Sequence, residues 1–108
     1  MTKPSLADLR AFITVAETQS FAAAARALYL SQPALSRRIS HLEDMLGVRL
    51  FDRTTRNVEL TSLGRHFRGQ IRGLLEELDR SVLSLRDVKE LEAGDVTIGC
   101  VLSTVHHF

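Results

Sequence analysis

The residues with the clearest chemical potential are Gln32, Pro33, Ser36 and Arg37, a short run that follows Ser31 and precedes the pair Arg38 and Ser40. None of these is arranged as a nucleophile or a general base. Their types suit reversible hydrogen bonding to the edge of a base pair: Gln can pair with adenine and Arg with guanine through two hydrogen bonds each, while Ser permits close approach. Ser31 is a good N-cap, and Pro33 then falls in a first helical turn, where no helical donor is lost. Leu35, Ile39, Leu42 and Leu46 recur at steps of four, three and four. That spacing predicts a helix with an apolar rear, leaving Pro33, Ser36, Arg37 and Ser40 on the opposite arc.

Such a helix must be held from behind. Ser20 caps an alanine-rich stretch, Phe21 to Leu28, and the small side chains of Ala22 to Ala25 let one helix axis cross closely behind another. Upstream, Ser5-Leu6-Ala7-Asp8 has the form of a capping box with Asp8 in the acidic position. Leu6, Leu9, Ile13 and Ala16, with Phe12 beside them, predict the buried stripe of a first helix ending near Thr18-Gln19. Downstream, Gly47 can take the left-handed conformation that ends a helix. Two short β-prone runs, Val48 to Arg53 and Val58 to Leu60, flank the polar tip Thr54 to Asn57. They predict a hairpin, or wing, carrying Arg53 and Arg56, placed either near DNA backbone or minor groove or on a solvated loop whose arginines only confer solubility.

At 108 residues and 44% apolar content the chain allows one small domain with an appendage. The net charge of +1 carries no global argument for a polyanion. Locally, Arg26, Arg37, Arg38, Arg49, Arg53 and Arg56 stand against Glu43, Asp44 and Asp52, the footprint of a phosphate-contacting surface. One cysteine, Cys100, excludes an internal disulfide, no Cys/His cluster has zinc spacing, and no apolar run is long enough to span a membrane. A soluble, cytoplasmic protein without metal or cofactor is expected.

From Leu63 onward the period changes. Leu63, Phe67, Ile71, Leu74, Leu78, Val82, Leu85 and Val88 average close to 3.5 residues apart, the repeat of a coiled-coil seam. Thr61 is placed to cap this long helix, and charged residues fill its other faces. With no partner of matching length in the chain, the helix is expected to pair with a second copy of itself through Leu63, Phe67, Ile71, Leu74, Leu78, Val82 and Leu85. Beyond Gly94, the β-branched run Asp95 to Val101 suits a buried strand.

Ala24-Ala25-Arg26-Ala27-Leu28, Ser31-Gln32-Pro33 and Ser36-Arg37 together resemble the helix-turn-helix of the LysR-type transcriptional regulators. The resemblance implies a mainly α fold: a winged helix-turn-helix over 4–61 (helix-turn-helix about 21–40, wing about 48–60), a dimerising linker helix over 62–92, and a short strand stub over 93–108. That stub would begin an effector domain like the periplasmic binding proteins, with Ser103 and Thr104 where a small-molecule inducer is contacted. The chain stops far short of such a domain, so a fragment of a longer protein is expected. One departure is Leu63 before Gly64, where the family often has alanine.

The implied function is sequence-specific binding to a double-stranded operator, with Gln32, Pro33, Ser36 and Arg37 at base edges. Ser31, Arg38, Ser40, Arg53, Arg56 and Thr61 would touch phosphate or minor groove and fix register. A homodimer would read two half-sites, and the full-length protein could assemble into tetramers, respond to an inducer and contact RNA polymerase. The alternative is a coiled-coil interaction module without DNA specificity, which would not require the stretch from Ser20 to Leu46. An enzyme is not expected: His41 lies near Ser36 and Ser40 with no pocket implied.

Overall fold

The computed structural model describes residues 3–53 and 57–94. The expected strand at 95–101, Ser103, Thr104 and Arg56 lie outside the described residues. The order is α1 (Leu6–Thr18), α2 (Phe21–Leu28), α3 (Gln32–Leu46), β1 (Phe51–Asp52), β2 (Glu59–Leu60) and α4 (Ser62–Gly94). The chain divides into two compact units, Met1–Gly73 and Leu74–Phe108. Among the described residues no helix is long and apolar enough to cross a membrane.

Each helix of the first unit begins on a side chain that satisfies an orphan first-turn N–H. Ser5 Oγ accepts from the Asp8 N–H at 3.2 Å, and Asp8 Oδ2 accepts from the Ser5 N–H at 3.0 Å, completing the expected capping box. Ser20 Oγ accepts from the Ala23 N–H at 3.1 Å and Ser31 Oγ from the Ala34 N–H at 3.2 Å. Gly47 ends α3 at φ 71°. Two other left-handed residues, Gln19 (φ 54°) and Tyr29 (φ 58°), end α1 and α2, and neither residue type announces that role.

The core of this unit lies between α1, α2 and α3. Phe12, Val15, Ala24, Leu35, Ile39 and Leu42 are buried, as are Ala11 and Ala25. Close packing at Ala24 and Ala25 accounts for the alanine run. Of the expected α1 stripe, Phe12, Ile13 and Ala16 are buried, with Ala11 and Val15 beside them, while Leu6 at the start of the helix is 48% exposed. Phe12 lies at the centre of that face, its ring 5.4 Å from that of Phe51 on β1 and 5.2 Å from that of Phe67 on α4. One aromatic side chain thus joins the first helix, the wing and the base of the long helix.

The wing is minimal, two antiparallel pairs, Phe51 with Leu60 and Asp52 with Glu59. It runs directly into α4 through Thr61. The Thr61 hydroxyl donates to the Arg49 carbonyl at 2.7 Å and accepts from the Gly64 N–H at 3.0 Å, so one side chain caps α4 and ties it to the strand entry. Within this unit Phe67 and Ile71 turn onto the head, Ile71 being buried. In the second unit Leu75 is buried, whereas Leu74, Leu78, Val82, Leu83 and Leu85 are exposed. Of the expected seam residues, Phe67 and Ile71 thus pack within the first unit.

The junction leaves no room at Gly64, where a Cβ would collide with the Leu50 carbonyl oxygen and lie 2.9 Å from Leu60 Cδ2. Gly69, by contrast, has nothing within 4 Å. Gly64→Ala is expected to lower stability by about 1–3 kcal/mol through overpacking. Gly69→Ala should raise it by about 0.5–1 kcal/mol through helix propensity. Thermal melts followed by circular dichroism check both; equal shifts in the two variants would contradict the close packing at Gly64.

Candidate nucleic-acid interface

On α3, Leu35, Ile39 and Leu42 are fully buried against the other helices, which fixes the helix's rotation. The opposite face then follows from 3.6-residue geometry. Gln32, Pro33 and Arg37 are exposed, and Ser36 and Ser40 are half-buried along its flank. Beside this face runs a groove of about 400 Å³, lined by Phe21, Gln32, Pro33, Ser36, Arg53, Asn57 and Val58. The start of α3 and the wing are thus two walls of one channel. Such a surface offers amide, hydroxyl and guanidinium hydrogen-bonding groups without a nucleophile–base pair. Among the described residues no group of three or more His, Cys, Asp or Glu could hold a metal ion.

Wing and helix are joined by a residue the sequence reading passed over. Glu43 sits four residues after Ile39 on the buried side of α3, and its side chain is only 2% exposed. Its Oε2 accepts from the backbone N–H groups of Leu50 at 2.8 Å and Phe51 at 3.2 Å. Its Oε1 faces Arg53 Nη2 at 3.3 Å and Arg49 Nη1 at 3.5 Å. Two arginines around one carboxylate leave the cluster with a net positive charge, so the acid does not oppose a polyanion. The signal was present as a carboxylate on an apolar stripe followed by Arg49 and Arg53, but nothing local says that the chain folds back.

Of the residues expected at phosphate, Arg53 reaches the channel. Its Nη1 donates to Ser40 Oγ at 3.4 Å, and its guanidinium carbon lies 5.2 Å from the Phe21 ring centroid. Arg38 faces the other way, donating from Nη1 to Asp8 Oδ1 at 3.2 Å, a contact across 30 residues. Thr61 is engaged in the cap of α4. Ser31 caps α3, which leaves its hydroxyl proton for another acceptor.

Asp8 is the anchor of the Arg38 side. Burial pushes its carboxyl up, but the Ser5 N–H, the Ser5 hydroxyl and the Arg38 guanidinium together outweigh burial and hold it below its ordinary value of 3.8. One carboxylate therefore both caps α1 and pins α3 to it.

Measured against known proteins, residues 6–65 match the profile of the bacterial regulatory helix-turn-helix proteins of the lysR family. The chain is 40% identical over 106 residues to the uncharacterized HTH-type transcriptional regulator YbhD of Escherichia coli K12, covering 98% of this chain and 33% of that protein. A structure of the BenM_DBD/catB site 1 DNA complex matches with TM-score 0.74 and 38% identity, over 84% of this chain and 99% of that one. Vibrio fischeri DarR in complex with DNA matches with TM-score 0.75 and 33% identity, over 83% and 31%. Fold and site define a winged helix-turn-helix. The chain belongs to the lysR family, and it spans about a third of the length of the first of these relatives.

The lowered Asp8 carboxyl gives a pH signature. Folding favours the charged form, so its contribution is fully present above the ordinary value of 3.8 and is lost as pH falls through the depressed one. Asp8→Asn is expected to cost about 1 kcal/mol at pH 7, from the weakened cap and the lost ion pair. In urea titrations the gap to wild type should narrow steadily below pH 3.8. A gap independent of pH would contradict the role of the charge.

Proposed function

We propose that this chain is the DNA-binding end of a bacterial transcriptional regulator that reads its operator through α3. The carrying observation is the two-sidedness of α3: Leu35, Ile39 and Leu42 are fully buried, while Gln32, Pro33 and Arg37 stand exposed beside a channel that Arg53 helps to line. Gln32, Pro33, Ser36 and Arg37 face base edges in the major groove, where side-chain hydrogen bonds distinguish base pairs. Backbone contacts fall to Ser31, Ser40 and Arg53, because Arg38 is paired with Asp8 and Thr61 caps α4. Family relatives solved with DNA, BenM_DBD and DarR, support this reading.

The protein acts as a homodimer. Leu74, Leu78, Val82 and Leu85 are exposed on α4, and apolar side chains in a helical stripe are stabilised by a matching helix. A symmetric pair presents two α3 helices to two half-sites of a pseudo-palindromic operator, spaced by a helical repeat or a multiple of it. An inducer, pairing of dimers into tetramers and contact with RNA polymerase belong to the longer protein of which this would be the reading end. DNA as the partner places it in the cytoplasm, and the mechanism is positional, with no catalytic step.

Arg37→Ala is expected to weaken binding to an operator selected from a random library by about 1–3 kcal/mol and to relax preference at one base pair. Arg53→Ala should weaken binding to selected and random duplexes alike and lower the salt slope by about one. Fluorescence anisotropy titrations at several salt concentrations separate the two, and equal loss on random DNA for Arg37→Ala would remove its base-reading role. For the dimer, Leu85→Glu should shift the sedimentation coefficient from dimer to monomer at micromolar concentration. A wild-type chain that sediments as a monomer there would remove the paired arrangement.

A further inference from the structure

Resting on the DNA-binding reading above, we propose that Phe21 is a positioning residue for DNA binding: with Glu43 it holds the Arg53 guanidinium on the channel wall, oriented before any duplex arrives. Phe21 opens α2 and is half-buried, with its ring edge-on to Phe51 at 6.2 Å. That contact anchors the ring to the core and turns it toward the channel it helps to line. The Arg53 guanidinium carbon lies 5.2 Å from the ring centroid, within the range at which the negative ring face attracts a cation.

From the side of α3, Glu43 Oε1 and Ser40 Oγ each take one N–H, at 3.3 and 3.4 Å. A guanidinium carries five N–H donors. Among the described residues two of these are committed, one to Glu43 and one to Ser40. The Arg53 side chain is 33% exposed, so it is confined without being sealed off. An arginine already restricted to one orientation loses little further rotamer freedom on binding. Ser40 gains from the same arrangement: as it accepts from Arg53, its own proton is left for a phosphate oxygen.

The test is a double-mutant cycle on the full chain, read as the Kd for a mixed-sequence 30-base-pair duplex at fixed salt. Phe21→Leu retains an apolar side chain against Phe51 but removes the ring face, and Phe21→Tyr keeps that face. Phe21→Leu is expected to weaken binding about threefold. Phe21→Tyr should bind as wild type does. In an Arg53→Ala background, Phe21→Leu should add no further loss. The same threefold loss in both backgrounds, or none in either, overturns the positioning role. Wild-type protein that binds this duplex without salt dependence would instead overturn the DNA-binding reading on which the role rests.

Discussion

A buried carboxylate holds the reader together. Glu43 belongs to α3 by chain position, yet its four partners, two backbone N–H groups and two guanidinium groups, all lie between Arg49 and Arg53. Burying a carboxylate is costly unless its lone pairs are met, and here they are met by groups that would otherwise also go wanting. The Leu50 and Phe51 amides enter a strand of only two residues, so the ladder alone cannot define where the wing stands. Glu43 sets that position relative to α3, which places Arg53 on one side of the channel with Gln32 and Ser36 on the other.

The aromatic cluster works with this polar joint. Phe12 touches Phe51 and Phe67, and Phe21 touches Phe51, so the wing's buried ring is gripped from α1 and α2, and Phe12 carries the contact on to α4. Apolar contact supplies adhesion without direction, whereas the carboxylate supplies direction. Gly64 completes the junction by letting the first turn of α4 pass against the Leu50 carbonyl. Two acids of the head are paired internally, Asp8 with Arg38 and Glu43 with Arg49 and Arg53. The net charge of +1 averages over the whole chain, whereas among the described residues the channel lining carries Arg53 and no acid.

Local signals were easy to read. Ser5, Ser20 and Ser31 cap the helices they were expected to cap, Gly47 ends α3, and the rear of α3 is the stripe of Leu35, Ile39 and Leu42. What escaped were contacts between residues far apart in sequence. Arg37 and Arg38 are neighbours of identical type, and a helix separates their directions by about 100°. The buried stripe of Leu35, Ile39 and Leu42 turns Arg37 outward, and what escaped is the partner of Arg38, Asp8, thirty residues away. In the same way a seam at 3.5-residue spacing does not declare which of its members a monomer will use, and Phe67 and Ile71 are taken by the head. Phe21 reads as one more apolar residue until the wing is folded back upon it.

The topology of the head also bears on how the protein is made. Its three helices follow one another through connections of two or three residues, each helix with its own cap. Domains dominated by such local contacts fold within microseconds to milliseconds, far faster than a ribosome adds the next residue. The longest ties of the head, Phe12 to Phe67 and Glu17 to Arg72, close once the chain has passed the first turns of α4. A nascent chain can therefore complete this head while the later turns of α4 are still emerging.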